Sequence, residues 1–418
     1  MTSQSQSLSV IGSNIANVST PGFKRSEAAF RTVMSREYAS NSALGDGQGP
    51  LSSQSDIGGV TTAVLNRITD QGSISATGQP FDLAVSGNGL FVFRQGFATT
   101  SGMVFGRNGQ LSQAMGAEIT ITNAAGQPQT VNESYLVNGN GQYLQGWAAN
   151  ADGSFSSDLA SLEPVRVDTY GYSSQGQQTT TAALNLNLPA ADAIGDSEDF
   201  LLGFYNSLGT LQQATATFTK TANNTWDVQV TGQPGDQVAL TPAQALTFTS
   251  SGLVASPAGY ALAVSHADGT TSAFALDVSG STQFAGPYTA RSYDFDGYAP
   301  GTLEDITIDS RGYVNGNFSN GQTQRLYRLP LATFANTDGL TPLAGNVYAA
   351  NDNSGDPVVQ GVGEGGTGIL IPEALESSNV EMEDQYSRMI QTQQAYNSAA
   401  TAFRTMDEII QTSLQLKR

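Results

Sequence analysis

Apolar residues recur along this 418-residue chain with two different periods, and the change of period divides it. Leu8, Ile11, Ile15 and Val18 stand at helical spacing near the start, and Pro21 and Gly22 then stop the helix. From about residue 60 to 370 the pattern becomes short alternating runs broken by Gly, Asn and Asp, which predicts strands joined by tight turns. In FDLAVSGNGLFVF, residues 81 to 93, Phe81, Leu83 and Val85 share one face, Gly87, Asn88 and Gly89 turn the chain, and Phe91 and Phe93 return. This predicts a hairpin, and ATATFTKTANNTWDVQV, residues 214 to 230, predicts another that turns at Asn223 and Asn224. Between Glu373 and Arg418 there is neither Gly nor Pro. Met382, Met389, Tyr396, Phe403 and Ile410 recur every seven residues there, with Tyr386, Ala399, Ala400, Met406 and Leu414 beside that line. The prediction is a helix of about 38 residues, roughly 57 Å long. Ser378, with Glu381 three residues later, fits a capping box at its start.

Gln, Ser, Thr and Asn back the stripe on this long helix, so the apolar face is narrow and suits a coiled-coil seam better than the lid of a domain core. The amino-terminal helix carries the only similar stripe, so the two termini are expected to pair. The fold class is therefore mainly β with terminal α-helices, in a discontinuous multidomain arrangement. Residues 1–24 with 373–418 form the helical coiled-coil domain, and 25–70, rich in Ser, Gly and Asn, an extended linker. Residues 71–168 with 290–372 form an inner β domain, and 169–289 an inserted, nested outer β domain. Its seams fall in the loop-like stretches 171–180 and 285–300.

Composition turns this outline toward assembly. A single core rarely grows past about 250 to 300 residues, so several domains are expected. Charged residues make up only 13%, about half the usual share. Surfaces poor in Lys and Glu lose less side-chain entropy and hydration when they meet a neighbour, which favours contact with copies of the chain. The net charge of −19 repels a phosphate backbone, so nucleic acid is excluded as a partner and anionic membranes are disfavoured. Within residues 1–40, Lys24, Arg25, Arg31 and Arg36 stand against Glu27 and Glu37, a local net of +2. Lys24 and Arg25 are expected to meet acidic surfaces of neighbouring subunits. No cysteine is present, which removes disulfides and thiol ligands. The first residues lack the apolar core of a signal peptide, and no run reaches the roughly 18 apolar residues of a membrane span. This reads as a cytosolic chain or one exported without a cleaved signal.

Candidate chemistry is sparse. GVGEGG, residues 361 to 366, matches a dinucleotide-loop spacing but lacks a βαβ unit and runs into Pro372, so it is read as a flexible joint. DFDG, residues 294 to 297, resembles the start of a calcium loop, but Tyr298 and Ala299 stand where a ligand and the turn glycine belong. It is read as an acidic turn. His266, the only histidine, lies in SHADG beside a turn and is read as a solvated loop residue rather than part of a serine triad or metal site. No spacing singles out a carboxylate pair. No catalytic, cofactor-binding or metal-ligating residue is assigned, and the chain is read as a non-enzyme without cofactors.

IGSNIANVSTPGFKRS resembles the amino-terminal motif of bacterial flagellar axial proteins, carried by Asn14, Ile15, Ala16, Asn17, Pro21, Gly22, Phe23 and Lys24. ALESSNVEMEDQYSRMIQTQQAYNSAATAFRTMDEIIQTSLQLKR is similar to the carboxy-terminal helix of the same family, and FDLAVSGNGLFVF to its first β-domain signature. FYNSLGTLQQATATFTKTANNTWDV resembles the inserted outer domain of the hook branch in particular, and GYVNGNFSNGQTQRLYRLPLATFANTDGL its return to the inner β domain. Rod subunits share the terminal motifs but are usually shorter.

The resemblance implies a structural subunit of the flagellar hook, a curved helical tube that acts as a flexible universal joint and passes torque from motor and rod to filament. Alternatives are a distal rod or other axial subunit and, more remotely, a secreted β-rich adhesin or enzyme. Implied partners are copies of itself, the distal rod subunit, the hook cap, the hook-length control protein, the hook-filament junction protein and the flagellar type III export apparatus. The implied location is the extracellular hook, without membrane insertion. Leu8, Ile11, Ile15, Val18, Met382, Met389, Tyr396, Phe403 and Ile410 would form the assembly seam. In the monomer such thin seams are expected to be mobile and to order in the polymer.

Overall fold

Both ends of the chain are helical in the computed structural model, which describes residues 2–32, 60–97, 102–122 and 127–416. Helix α1 spans Thr2–Ala16 and α2 spans Met382–Leu416, and almost all regular structure between them is strand. The fold is mainly β with two terminal helices in contact with each other. Helix α2 begins later than the Ser378 capping box predicts. Ile369–Pro372 and Ala374–Glu376 are strands, paired with Leu83–Ser86 and Ile74–Ala76. Ser378 Oγ accepts from its own neighbour, Val380 N, and the Glu381 carbonyl accepts the Gln385 N–H of the first helical turn. A short hydroxyl beside its own backbone thus closes a local turn instead of a helix cap.

The chain divides into two compact units. One comprises Met1–Asp168, Thr307–Asn315 and Arg325–Arg418, the other Thr169–Ile306 and Gly316–Gln324. The second unit extends past residue 289 because Thr289–Phe295 pairs with Thr181–Asn187 inside it.

In the first unit, part of the expected linker is ordered ribbon. Ser26–Thr32 pairs antiparallel with Val60–Asn66, and α1 packs on both strands. Four β-branched residues among the seven of VTTAVLN give that segment a strand propensity that the Ser and Gly content around it obscured. The rest of the predicted linker, 33–59, lies outside the described residues. The unit's core gathers Leu90, Val92, Phe105, Trp147, Leu162 and Ala332, among others.

The first predicted hairpin is not one. Gly87 and Gly89, both at positive φ, turn the chain as expected. Leu83–Ser86 then pairs with Ile369–Pro372, while Leu90–Arg94 pairs with Met103–Gly106 and with strands at 143–148 and 330–333. The reason is Arg107. Its guanidinium donates to the carbonyls of Val85, Gly87 and Gly89 at 2.7–3.0 Å, filling acceptors that a hairpin ladder would use.

The second unit packs two five-stranded sheets around one core. One sheet runs in the order Gln237–Thr241, Gly259–Ser265, Thr271–Asp277, Thr181–Asn187 and Thr289–Phe295. The other contains the second predicted hairpin, Leu211–Ala222 with Thr225–Thr231, turned at Asn223 and at Asn224 with φ +58°. Ala214, Ala216 and Phe218 alternate inward from it, and Trp226 is fully buried.

Two motifs read from the sequence lie in this unit. His266 is buried, not solvated. The turn folds its ring back toward Phe204, with Nδ1 3.0 Å from Asp236 Oδ2 and Nε2 3.0 Å from Ser272 Oγ. Asp236, His266 and Ser272 stand in the order of a hydrolase triad, but Ser272 is 1% exposed, so no substrate reaches its hydroxyl. In DFDG, Asp296 receives the backbone N–H and hydroxyl of both Thr180 and Thr181. Burial pushes its pKa up, but those hydrogen bonds overcome this and hold it at about 2, below the ordinary 3.8. A depressed carboxylate stabilises the fold above its unfolded pKa, and the contribution is lost as pH falls through the folded value. Asp296→Asn should therefore flatten the loss of stability of this unit between pH 3.8 and about 2, read at Trp226. An unchanged acid limb would refute the assignment.

Candidate assembly surface and the junction beneath it

Helices α1 and α2 meet along part of the predicted seam. Ile11 is buried and Leu8, Ile15 and Val18 are half-buried, as are Met382, Met389 and Tyr396. The join near the start of α2 is polar. Asn14 is buried and its Nδ2 donates to Gln385 Oε1 at 3.0 Å and to Ser26 O at 2.8 Å, while Ser26 N–H donates back to Asn14 Oδ1. One amide thus fixes α1, the ribbon and α2 in register, a known use of a buried Asn in helix pairs. It does not close the last turn of α1. That task falls to Asn17, whose Nδ2 donates to Ser13 O.

Length then decides what stays open. From Asn14 back to Thr2, α1 rises roughly 18 Å, enough to cover α2 to about residue 397. Partial burial on α2 accordingly ends at Ala400, and every residue from Thr401 to Gln415 is exposed. Phe403 is 64% and Ile410 54% exposed, and Met406, Ile409 and Leu414 stand open beside them. The seam residues thus fall into two groups, one engaged within the chain and one uncovered.

Beneath this pair lies a junction that sequence reading missed. The turn after α1 needs Gly22, at φ +67°, where any Cβ would lie 2.6 Å from the backbone nitrogen of Asn108. Gly22 N–H donates to Glu376 O at 2.7 Å, and Asn346 Nδ2 holds the Pro21 carbonyl. Lys24, 3% exposed, donates to Glu376 Oε1 at 2.7 Å and to Asp70 O. Arg107 Nε takes the other Glu376 oxygen at 2.8 Å, and Gly72 N–H adds a third bond. Asn379 accepts from Arg25 N and donates to the carbonyls of Arg67 and Asp70.

Lys24 and Arg25 are therefore paired within the chain, and Lys24 is not available to a neighbour. Burial pushes the Lys24 pKa down against the pull of Glu376, with Arg107 adding to the depression. Arg25 pairs with Asp70 at 3.2 Å. Glu27 gathers Arg67 at 2.9 Å and Arg388 of α2 at 3.6 Å. Burial would raise its carboxyl, yet the hydrogen bonds and charge of Arg67, with Arg388 and Arg25, hold it below the usual range. The role of Glu376 could not be read from sequence because it stands 352 positions from Lys24, and no local pattern links the two.

Among the described residues no group of three or more His, Asp or Glu is placed to hold a metal ion. No described helix is long and apolar enough to cross a membrane.

Comparisons with known proteins meet this geometry at three places. Residues 1–24 match the flagella basal body rod protein family, 177–298 the flagellar basal body protein FlaE D2 domain, and 371–416 the flagellar basal body rod FlgEFG protein C-terminal family. The flagellar hook protein FlgE of Rhizobium meliloti is 30% identical over 100% of this chain and 97% of its own length. That of Brucella abortus is 31% identical over 100% and 97%. A crystal structure of Helicobacter pylori flagellar hook protein FlgE2 aligns with a TM-score of 0.44 at 14% identity, over 72% of this chain and 100% of that one.

Proposed function

The chain belongs to the bacterial flagellar hook protein family and is a structural, self-assembling axial component of the flagellum; we propose that it builds the curved hook tube, the joint that passes torque from rod to filament. The observation that carries this reading is the uncovered half of α2. Phe403, Met406, Ile409, Ile410 and Leu414 lie open together on one helix, in continuation of the stripe that α1 covers, and a contiguous exposed apolar surface marks an interaction site. Copies of the same helix pair supply a cover of matching period. In this reading α1 and α2 line the inner tube, while the β region of the chain meets that of neighbouring copies. Its neutral polar surfaces suit contacts that slide between alternatives as the tube bends.

The finer partners belong to the same proposal. The distal rod subunit would abut one end, the hook cap and later the hook-filament junction protein the other. The hook-length control protein and the type III export apparatus would act during growth. Electron microscopy of cells lacking the protein tests the assignment. Basal bodies that end at a complete rod are expected, whereas absent distal rods would favour the rod alternative.

A further inference from the structure

We propose that Asn88 is a site of spontaneous deamidation, in which the Gly89 nitrogen attacks the Asn88 side chain and the product loosens the turn that Arg107 holds. The proposal concerns the single chain and does not depend on its assembly.

The chain has six Asn-Gly steps, at Asn88, Asn108, Asn138, Asn140, Asn315 and Asn320. Glycine in second place leaves the following nitrogen unhindered, so each step reacts once its carboxamide swings onto that nitrogen. Five of the carboxamides are held. Asn108 Oδ1 accepts the Gln110 N–H, Asn138 Oδ1 those of Asn140 and Gln142, and Asn320 Oδ1 that of Gln322. Asn140 Nδ2 donates to Gly345 O and Asn315 Nδ2 to Tyr313 O. Asn88 is exposed, and among the described residues neither its carboxamide nor the Gly89 N–H makes a hydrogen bond.

The fold both preserves this pair and activates it. Gly89 stands at φ +126°, where a Cβ would lie 3.0 Å from Leu331 Cβ, so no side chain can take its place and shield the nitrogen. Arg107 Nη1 donates to Gly87 O at 2.8 Å and to Gly89 O at 2.7 Å, which sets a guanidinium charge beside the Gly89 amide. Gly368 N–H donates to the Asn88 carbonyl at 2.6 Å. Both draw charge from the Gly89 N–H and favour loss of its proton to water. The nitrogen anion then attacks Asn88 Cγ. The new N–C bond closes a succinimide, and the C–NH2 bond breaks as the amide nitrogen takes a proton from water and leaves as ammonia. A water molecule adds to one of the two imide carbonyls and opens the ring to aspartate or isoaspartate. Isoaspartate carries the main chain through the side-chain carbon, one methylene longer, so Gly87 O and Gly89 O no longer fit the same Arg107 nitrogen.

The test incubates the full chain, folded and in urea, at mildly alkaline pH and follows its tryptic peptides by mass spectrometry. Asn88 is the only Asn-Gly step between Arg67 and Arg94, while peptides 108–166 and 312–325 carry the other five. In the folded chain the Asn88 peptide should gain aspartate and isoaspartate about tenfold faster per step than either of the others, the factor for one hydrogen bond that those must break first. In urea the rates should converge. A lower-melting fraction of the folded chain should grow in step with isoaspartate at position 88. Asn88→Gln, whose larger ring closes far more slowly, should age without either change. The proposal is overturned if the folded chain modifies Asn88 no faster than the other steps, if the preference survives in urea, or if isoaspartate accumulates there without a change in melting.

Discussion

Replacing Phe403 and Ile410 together by aspartate is expected to leave a normally folded monomer that cannot form tubes. Both side chains are more than half exposed and lie beyond the reach of α1, so the folded monomer loses almost nothing. Two aspartates in an exposed helix cost about 1 kcal/mol in propensity at most. In the polymer each of the two apolar groups would be buried, worth about 1.5–3 kcal/mol apiece. Their loss, with two carboxylates to desolvate, should raise the critical concentration at least a hundredfold, taking about 1.4 kcal/mol per factor of ten. Sedimentation reads the polymer and circular dichroism the monomer. Tubes formed at wild-type concentrations would show that the uncovered stripe is not the seam. Met389 and Tyr396 make a poorer test, since both are half-buried beside α1 and their replacement would disturb the monomer as well.

The second large effect concerns folding. Glu376→Gln should destabilise the first unit by about 3–5 kcal/mol, the usual cost of removing one member of a buried ion pair. The cost arises because Lys24 and Arg107 share this single carboxylate and both remain buried without it. Lys24→Met should cost less, because Arg107 and the Gly72 N–H still neutralise Glu376. Each unit holds one buried tryptophan, Trp147 in the first and Trp226 in the second. Fluorotryptophan labelling thus gives one resonance per unit. The Trp147 line should melt early in Glu376→Gln while the Trp226 line follows the wild type. Equal shifts in both lines, or none, would contradict the role given to Glu376.

Why the sequence revealed some of this and hid the rest follows from the range of each signal. Helical and alternating periods are local, and so α1, α2 and the Asn223–Asn224 hairpin could be read directly. The Gly87–Gly89 turn was equally plain, but the partners of its two strands depended on Arg107, which lies beyond the motif and removes the carbonyls a hairpin needs. His266 looked solvated because its turn is polar, whereas Asp236, which takes its ring inward, stands 30 residues away. The seam was legible as a stripe. Its division into a covered and an uncovered part was not, since that depends on where Asn14 meets Gln385 and on how far α1 then reaches.

The same inward turn of cations that builds the junction leaves an unusual outer chemistry. The chain has three lysines, at 24, 220 and 417. Lys24 is sealed by Glu376, and Lys220 is buried in the second unit with its ammonium held by the carbonyls of Ala190 and Asp192. Among the described residues, then, no lysine amine is open to acylating dyes or amine-directed cross-linkers. Labelling or covalent capture aimed at the described part of the chain has to use carboxylate coupling, or cysteines introduced into a sequence that has none of its own.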